Sequence, residues 1–283
     1  MPDLTVLIPC KNEERHIRGC IESARPIAGE ILVADSGSTD RTLATVDEVG
    51  GCRLIEREFI GFADFKNWAI PQAAHEWILL LDADERVSPE LALEIQGLFS
   101  GDLPDVDGFL MRRRNLFMSQ EILHSHWGRD RVLRLFRRDV CRYAERPVHE
   151  AIVCNPERTA ELAHHLLHYT GSSYDDYLRK AKDYSRLWAD DAWKRGRRSS
   201  VLDMLFAPPL RFLSQYVLRG GFLDGKAGLQ VCVLNAYFGT FLKRARLWEL
   251  EHADRQRETE RDSDLRPTTK GAKRPDEPAA TAW

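Results

Sequence analysis

The chain has 283 residues, 43% of them hydrophobic and 30% charged, with a formal net charge of -3. That length accommodates one large α/β domain plus an appendage, and the composition excludes global disorder and a multi-span membrane protein. The slight acidity also disfavours nonspecific nucleic-acid binding, so no nucleic-acid partner is expected.

The first 100 residues alternate short apolar runs with helical patterns, the signature of βαβ units feeding a parallel sheet. Strands are predicted over residues 4–8, 30–34, 52–56 and 77–81. Helices are predicted to begin near Glu13, Thr39 and Phe62, and after Ser88-Pro89-Glu90, where Ser88 can cap and Pro89 suits the first turn. From Val106 to Tyr169 the runs become β-like (108–111, 132–136, 148–153 and 165–169), a mixed half of the same domain. Beyond Thr170 the pattern is helical over 174–194, 201–218 and 226–251, punctuated by Pro208-Pro209 and Gly220-Gly221. The last thirty or so residues are charged and Pro-containing and read as a disordered tail. The expected division is therefore a domain over 1–169, a helical extension over 170–252 and a tail over 253–283. Lys+Arg against Asp+Glu run 20 to 28, 14 to 9 and 7 to 7 in these segments, so only the extension is basic.

A parallel sheet binds ligands at the carboxyl ends of its strands, and three motifs fall there. The run 77–81 ends in Asp82-Ala83-Asp84, and two carboxylates just past a buried strand can grip a divalent cation that neutralises a diphosphate. The bare tripeptide carries little weight, because with 23 Asp about two matches arise by chance. The chain has two others, Asp105/Asp107 and Asp262/Asp264; position at the end of an apolar run singles out the first. Asp35 emerges at a second strand end, followed by Gly37 for a tight turn and Ser38 or Thr39 as a cap for the helix that Asp40 opens. The third is Pro9-Cys10-Lys11-Asn12-Glu13. Neither G-x-G-x-x-G nor a Walker-type loop is present, which argues against dinucleotide cofactors and P-loop NTP hydrolysis.

The ordered set Pro9-x-x-Asn12-Glu13, Asp35-x-Gly37-Ser38-x-Asp40, Lys66-Asn67 and Asp82-Ala83-Asp84 resembles GT-A glycosyltransferase family 2 over residues 3–100. Arg146-Pro147-Val148-His149-Glu150 and Phe222-Leu223-Asp224-Gly225 resemble more narrowly the bacterial branch of lipopolysaccharide inner-core β-glucosyltransferases. The resemblance implies an α/β, Rossmann-like nucleotide-sugar-binding domain with a mostly parallel sheet, followed by the helical extension. It implies that Pro9, Lys11, Glu13 and Asp35 line the base and ribose pocket, and that Lys66 lies near the nucleotide. Asp82 would face the ribose or metal, and Asp84 would hold Mg²⁺ or Mn²⁺ on the diphosphate. Lys11 stands where relatives place an aromatic residue. The implied activity is inverting transfer from a nucleotide-diphosphate sugar, a UDP-sugar, to a glycan or lipid-linked acceptor in cell-envelope synthesis. Transfer to a polyprenyl phosphate, and a catalytically inactive nucleotide-binding module, are the alternatives.

Inverting transfer needs a base within hydrogen-bond reach of the acceptor hydroxyl. Glu150 is the candidate; His149 is a rival base, a metal ligand or a structural histidine, with Asp105, Asp107 and Glu145 as further options. The histidines 124/126 and 164/165/168 invite a zinc reading, but no cysteine lies at ligand spacing beside them. The arginines between 112 and 138 fit a strand with one wet face, and some could receive an acidic or phosphorylated acceptor. In the extension, Leu202, Leu205, Phe206, Leu210, Phe212, Leu213, Tyr216 and Val217 exceed one narrow stripe, and either pack on the catalytic domain or dip into an anionic membrane surface. Scattered cysteines, an uncharged stretch (227–242) too short for a span and no signal-peptide core predict a cytoplasmic protein, peripheral on the inner face of the membrane.

Overall fold

The computed structural model describes residues 2–144, 152–171 and 173–265, with side chains as far as 257. Strands β1 (Leu4–Cys10), β2 (Glu30–Asp35), β3 (Arg53–Glu56) and β4 (Trp77–Leu80) are parallel, in the order β3-β2-β1-β4. Both faces of this half-sheet are covered. Leu7, Leu32, Ala34, Ile78 and Leu80 pack against α3 (Phe62–Ala69) through Ala63, Phe65 and Ala69. The alternate residues Val6, Ile8, Ile31, Val33 and Leu79 face α1 (Ile17–Ala24), α2 (Thr42–Val49) and α4 (Pro89–Ser100). Double coverage is why β1, β2 and β4 read as unbroken apolar runs, whereas β3, at the edge, is mostly exposed. Chain order reverses at β1, which has β2 on one side and β4 on the other, so a crevice forms at their carboxyl ends.

The second half adds β5 (Glu85–Val87), β6 (Gly108–Phe117), β7 (Gln120–Ile122) and β8 (Arg131–Arg137). A two-stranded ribbon of β9 (Arg142–Tyr143) and β10 (Ile152–Val153) stands apart, and β11 (Thr159–Gly171) returns to the main sheet. Of the eight pairings in the main sheet four are parallel and four antiparallel. The expectation of a mostly parallel sheet thus holds for the first four strands only; the whole is mixed. One reason is local: Met118 and Ser119 both take positive φ (48° and 63°), closing β6 onto β7 as a two-residue hairpin.

Helix α5 (Tyr174–Lys194) starts on Ser173, whose hydroxyl accepts from the Asp176 N–H, with Asp175 and Asp176 in its first turn. Helix α6 (Val201–Leu213) passes through Pro208 and Pro209 without interruption and ends in a π turn over 214–218. The stop comes at Gly220, in the left-handed region at φ 70°, which glycine takes without strain. Helix α7 (Gly225–Ala236) and α8 (Leu242–Leu265) follow, and α5 packs on α8 through Ala189, Ala192 and Leu247. Residues 253–265, expected to be tail, are helical; 266–283 lie outside the described residues.

Candidate active site

The loops leaving β1 and β2 are stitched together. Asn12 sits at φ 56°, a conformation Asn tolerates, and its Oδ1 accepts from the Thr39 N–H at 2.7 Å. The Glu13 N–H donates to Thr42 Oγ1 at 2.8 Å. Asp40, rather than Ser38 or Thr39, turns the chain into α2, accepting from the Thr42 N–H at 2.9 Å. Asp35 is fully buried. Its Oδ2 accepts from the Gly37 and Ser38 N–H groups at 2.8 Å each, and its Oδ1 from the Ser38 hydroxyl. Its carboxylate therefore holds the turn from beneath. Beside it an open recess is lined by Lys11, Ser36, Gly37, Glu56, Arg57 and Glu58. Lys11 lies 5.8 Å from the Phe59 ring centroid, while Pro9 stays within β1 opposite Ala34.

The Asp82–Asp84 loop is pinned by Glu85, which is fully buried. Glu85 Oε2 accepts from the Asp82 N–H at 3.0 Å, and Oε1 receives Arg134 at 2.8 Å and Arg113 at 3.2 Å. Asp82 takes the Lys66 ammonium at 3.2 Å and pairs with Arg134. Asp84 receives Lys180 Nζ on Oδ2 at 2.7 Å, and its Oδ1 lies 3.6 Å from His168 Nε2. Burial opposes both charges. Arg134 and Lys66 nevertheless hold Asp82 below the usual carboxylate range, and His168 and Lys180 hold Asp84 well below it. Glu13 goes the other way, pushed up to about 7 by burial and by the charge of Asp84. Cys10 touches Asp35 and feels Glu13, and Glu13 feels Asp84, so the ends of β2, β1 and β4 share one electrostatic neighbourhood.

The proton positions on His168 follow from its partners. Asn115 Nδ2 donates to the Trp127 carbonyl at 2.8 Å, which turns Asn115 Oδ1 toward His168 Nδ1 at 2.6 Å. Facing that amide oxygen Nδ1 is the donor, which leaves Nε2 directed at the Asp84 carboxylate. An oxygen and an imidazole nitrogen side by side, with the outer nitrogen held by an amide, suit a divalent ion completed by phosphate oxygens and water. Among the described residues no group of three or more His, Cys, Asp or Glu could hold a metal, so such an ion would depend on the substrate's own oxygens. Asp82, expected as a second metal carboxylate, is already engaged by two cations.

Four residues at this site were not expected there. Arg134 and Arg113 lie in the run read as a wet-faced strand; the signal was that Arg134 shares a strand face with Val132 and Phe136. Lys180 comes from the expected extension, so α5 completes the site. His168 had been set aside with the zinc reading. Asp105 and Asp107 are instead clamped by Arg158, each at 2.8 Å. His149 and Glu150 lie outside the described residues, and so do the side chains of Asp262 and Asp264.

The family model for glycosyl transferase family 2 matches residues 5–170, the whole sheet up to the last residues of β11. The chain belongs to that family. This glycosyltransferase is 32% identical over 253 residues to the lipopolysaccharide core biosynthesis glycosyltransferase LpsC of Rhizobium meliloti (strain 1021), covering 87% of this chain and 92% of the relative. It is 28% identical over 262 residues to an uncharacterized glycosyltransferase of Rickettsia bellii (strain RML369-C), covering 87% and 86%. Among solved structures, S. aureus TarS 1-349 in complex with UDP-GlcNAc aligns with a TM-score of 0.43 at 16% identity, covering 90% of this chain and 92% of that one. The GT-A arrangement with C-terminal helices expected from the sequence is the arrangement found.

Proposed function

We propose that this family 2 glycosyltransferase moves a sugar, with inversion, from a UDP-sugar to a hydroxyl of a glycan or lipid-linked acceptor in lipopolysaccharide-type envelope synthesis. One observation carries the reading. The Asp82–Asp84 loop, with His168 and Lys66 around it, and the recess beside Lys11 and Gly37 both lie at the carboxyl ends of the parallel strands. The base and ribose would occupy that recess, beside Lys11. Asp84 and His168 would hold Mg²⁺ or Mn²⁺, and a bound cation would supply charge neutralisation of the departing diphosphate. Lys66 and Arg134 hold Asp82 in place, where it would face the ribose. Glu150 is the proposed base for the acceptor hydroxyl, with His149 beside it.

The reading is tested with purified protein and a panel of nucleotide sugars. UDP-sugars with Mn²⁺ or Mg²⁺ are expected to raise the melting temperature, and Asp84→Ala to abolish the metal-dependent part of that rise. Glu150→Gln should retain the rise and lose transfer by about 10²–10⁴-fold. Full transfer by Glu150→Gln would move the base elsewhere; no shift with any nucleotide sugar would sink the reading.

Its site of action is proposed to be the inner, cytoplasmic face of an anionic membrane, bound peripherally. Among the described residues no helix is long and apolar enough to cross a membrane. What supports surface contact is α6, where Leu202, Leu205, Phe206 and Leu210 are each more than half exposed.

A further inference from the structure

We infer that Lys180 is a positioning residue that stands in for the metal at Asp84 and makes cation binding conditional on the donor's diphosphate. The inference rests on the reading of Asp84 and His168 as the cation's protein ligands. Lys180 reaches down from α5 and places its ammonium 2.7 Å from Asp84 Oδ2 with its side chain only 23% exposed. Of the other carboxylates at the site, Asp82 is matched by Lys66 and Arg134, Glu85 by Arg134 and Arg113, and Asp176 by Arg179, while Glu13, which also bears on Lys180, is held toward its neutral form by burial and by Asp84. A divalent ion arriving alone would have to expel Lys180 and leave several positive charges crowded into one crevice. Arriving with a diphosphate, the same ion brings compensating negative charge. The flexible Lys180 stem can then swing its three N–H donors from Asp84 to a phosphate oxygen, where it also supports the departing group. Metal and nucleotide are thereby coupled through one side chain, and such coupling acts equally in both directions.

Mn²⁺ binding, followed by the electron paramagnetic resonance signal of the free aquo ion with and without UDP, tests this without turnover. In the wild type, UDP is expected to tighten Mn²⁺ by about tenfold or more. Lys180→Met is expected to bind Mn²⁺ alone about tenfold more tightly than the wild type, so that the effect of UDP falls about tenfold and retains only the part its phosphate oxygens supply as ligands. A gain of metal affinity is a result that mere loss of structure does not produce. Lys180→Arg keeps the charge and should keep the coupling. If Lys180→Met does not melt cooperatively, Lys180→Gln, which retains a hydrogen-bonding head, replaces it. Unchanged Mn²⁺ affinity and unchanged coupling in the neutral variant overturn the inference. Asp84→Asn separates the two levels of argument: if it binds Mn²⁺ as the wild type does, the metal reading itself fails. If it loses Mn²⁺ while Lys180→Met behaves as the wild type, only the role of Lys180 is wrong.

Discussion

A carboxyl group raised to about 7 by burial and a neighbouring Asp84 is half-ionised at neutral pH, and Glu13 is in that position. Because its folded pKa lies above the ordinary 4.5, the folded chain binds more protons than the unfolded one between roughly 4.5 and 7. The stability carried by the protonated form is fully present below that window and is lost as pH rises through it. The cost on ionisation is on the order of 3 kcal/mol. Glu13→Gln removes it, so the variant should match the wild type at pH 4.5 and melt about 5 °C higher at pH 8.5. A gap between the two proteins that stays constant across that range would show the carboxyl is not held up. Single residues were legible in the sequence where a motif and a strand end coincided, as at Asp84. They were hidden where the chemistry depends on a distant partner. Asp35 could be placed at the crevice, but that its oxygens are spent on Gly37 and Ser38 is visible only in the folded turn.

Between elements, the helical extension is fastened to the sheet by Asp224, at the start of α7. Its carboxylate is almost wholly buried and accepts from the N–H groups of Leu123 and His124, and it lies 2.7 Å from His124 Nδ1. Asp224→Ala strands these donors and should cost about 2–3 kcal/mol in urea unfolding. A variant within 0.5 kcal/mol of the wild type, the scatter of ordinary surface changes, would show that the clamp carries no stability. Strands β1, β2 and β4 were readable because burial on both faces leaves an uninterrupted apolar run. β6 was predicted only to Met111, since Arg112, Arg113 and Arg114 break the apolar pattern. Their partners are Glu161, Asp130 and Glu121, each from another segment, so ion pairs supply the register there. The three-residue β5 is too short for any periodicity, yet it sets the Asp82–Asp84 loop through its pairing with β11. Lys180 was unreadable for a related reason: helical spacing identifies α5 but not the loop beneath it.

At the scale of the molecule, α6 is built inside out. Pro208 is its buried residue, while Val201, Leu202, Leu205, Phe206 and Leu210 are 80%, 66%, 60%, 53% and 62% exposed. Further along, Leu218, Phe222 and Leu223 extend the apolar surface, also at least half exposed. Leaving this many large side chains in water forgoes several kcal/mol of burial, which a partner surface would recover. Charge selects among partners. From residue 195 to 226 there are six cations, Arg195, Arg197, Arg198, Arg211, Arg219 and Lys226, against Asp203 and Asp224, and Asp224 is consumed by the clamp. A second copy of this face would set like charges against each other, whereas anionic head groups would neutralise them and admit the apolar side chains. The chain should therefore float with vesicles containing phosphatidylglycerol and not with pure phosphatidylcholine, and 0.5 M NaCl should weaken the association. Leu205→Ser with Phe206→Ser should reduce binding at least about tenfold, because two exposed apolar anchors are removed, while transfer to a water-soluble acceptor fragment continues. Concentration-dependent dimers that the same double substitution dissolves, without vesicle binding by the parent, would assign the face to a second copy.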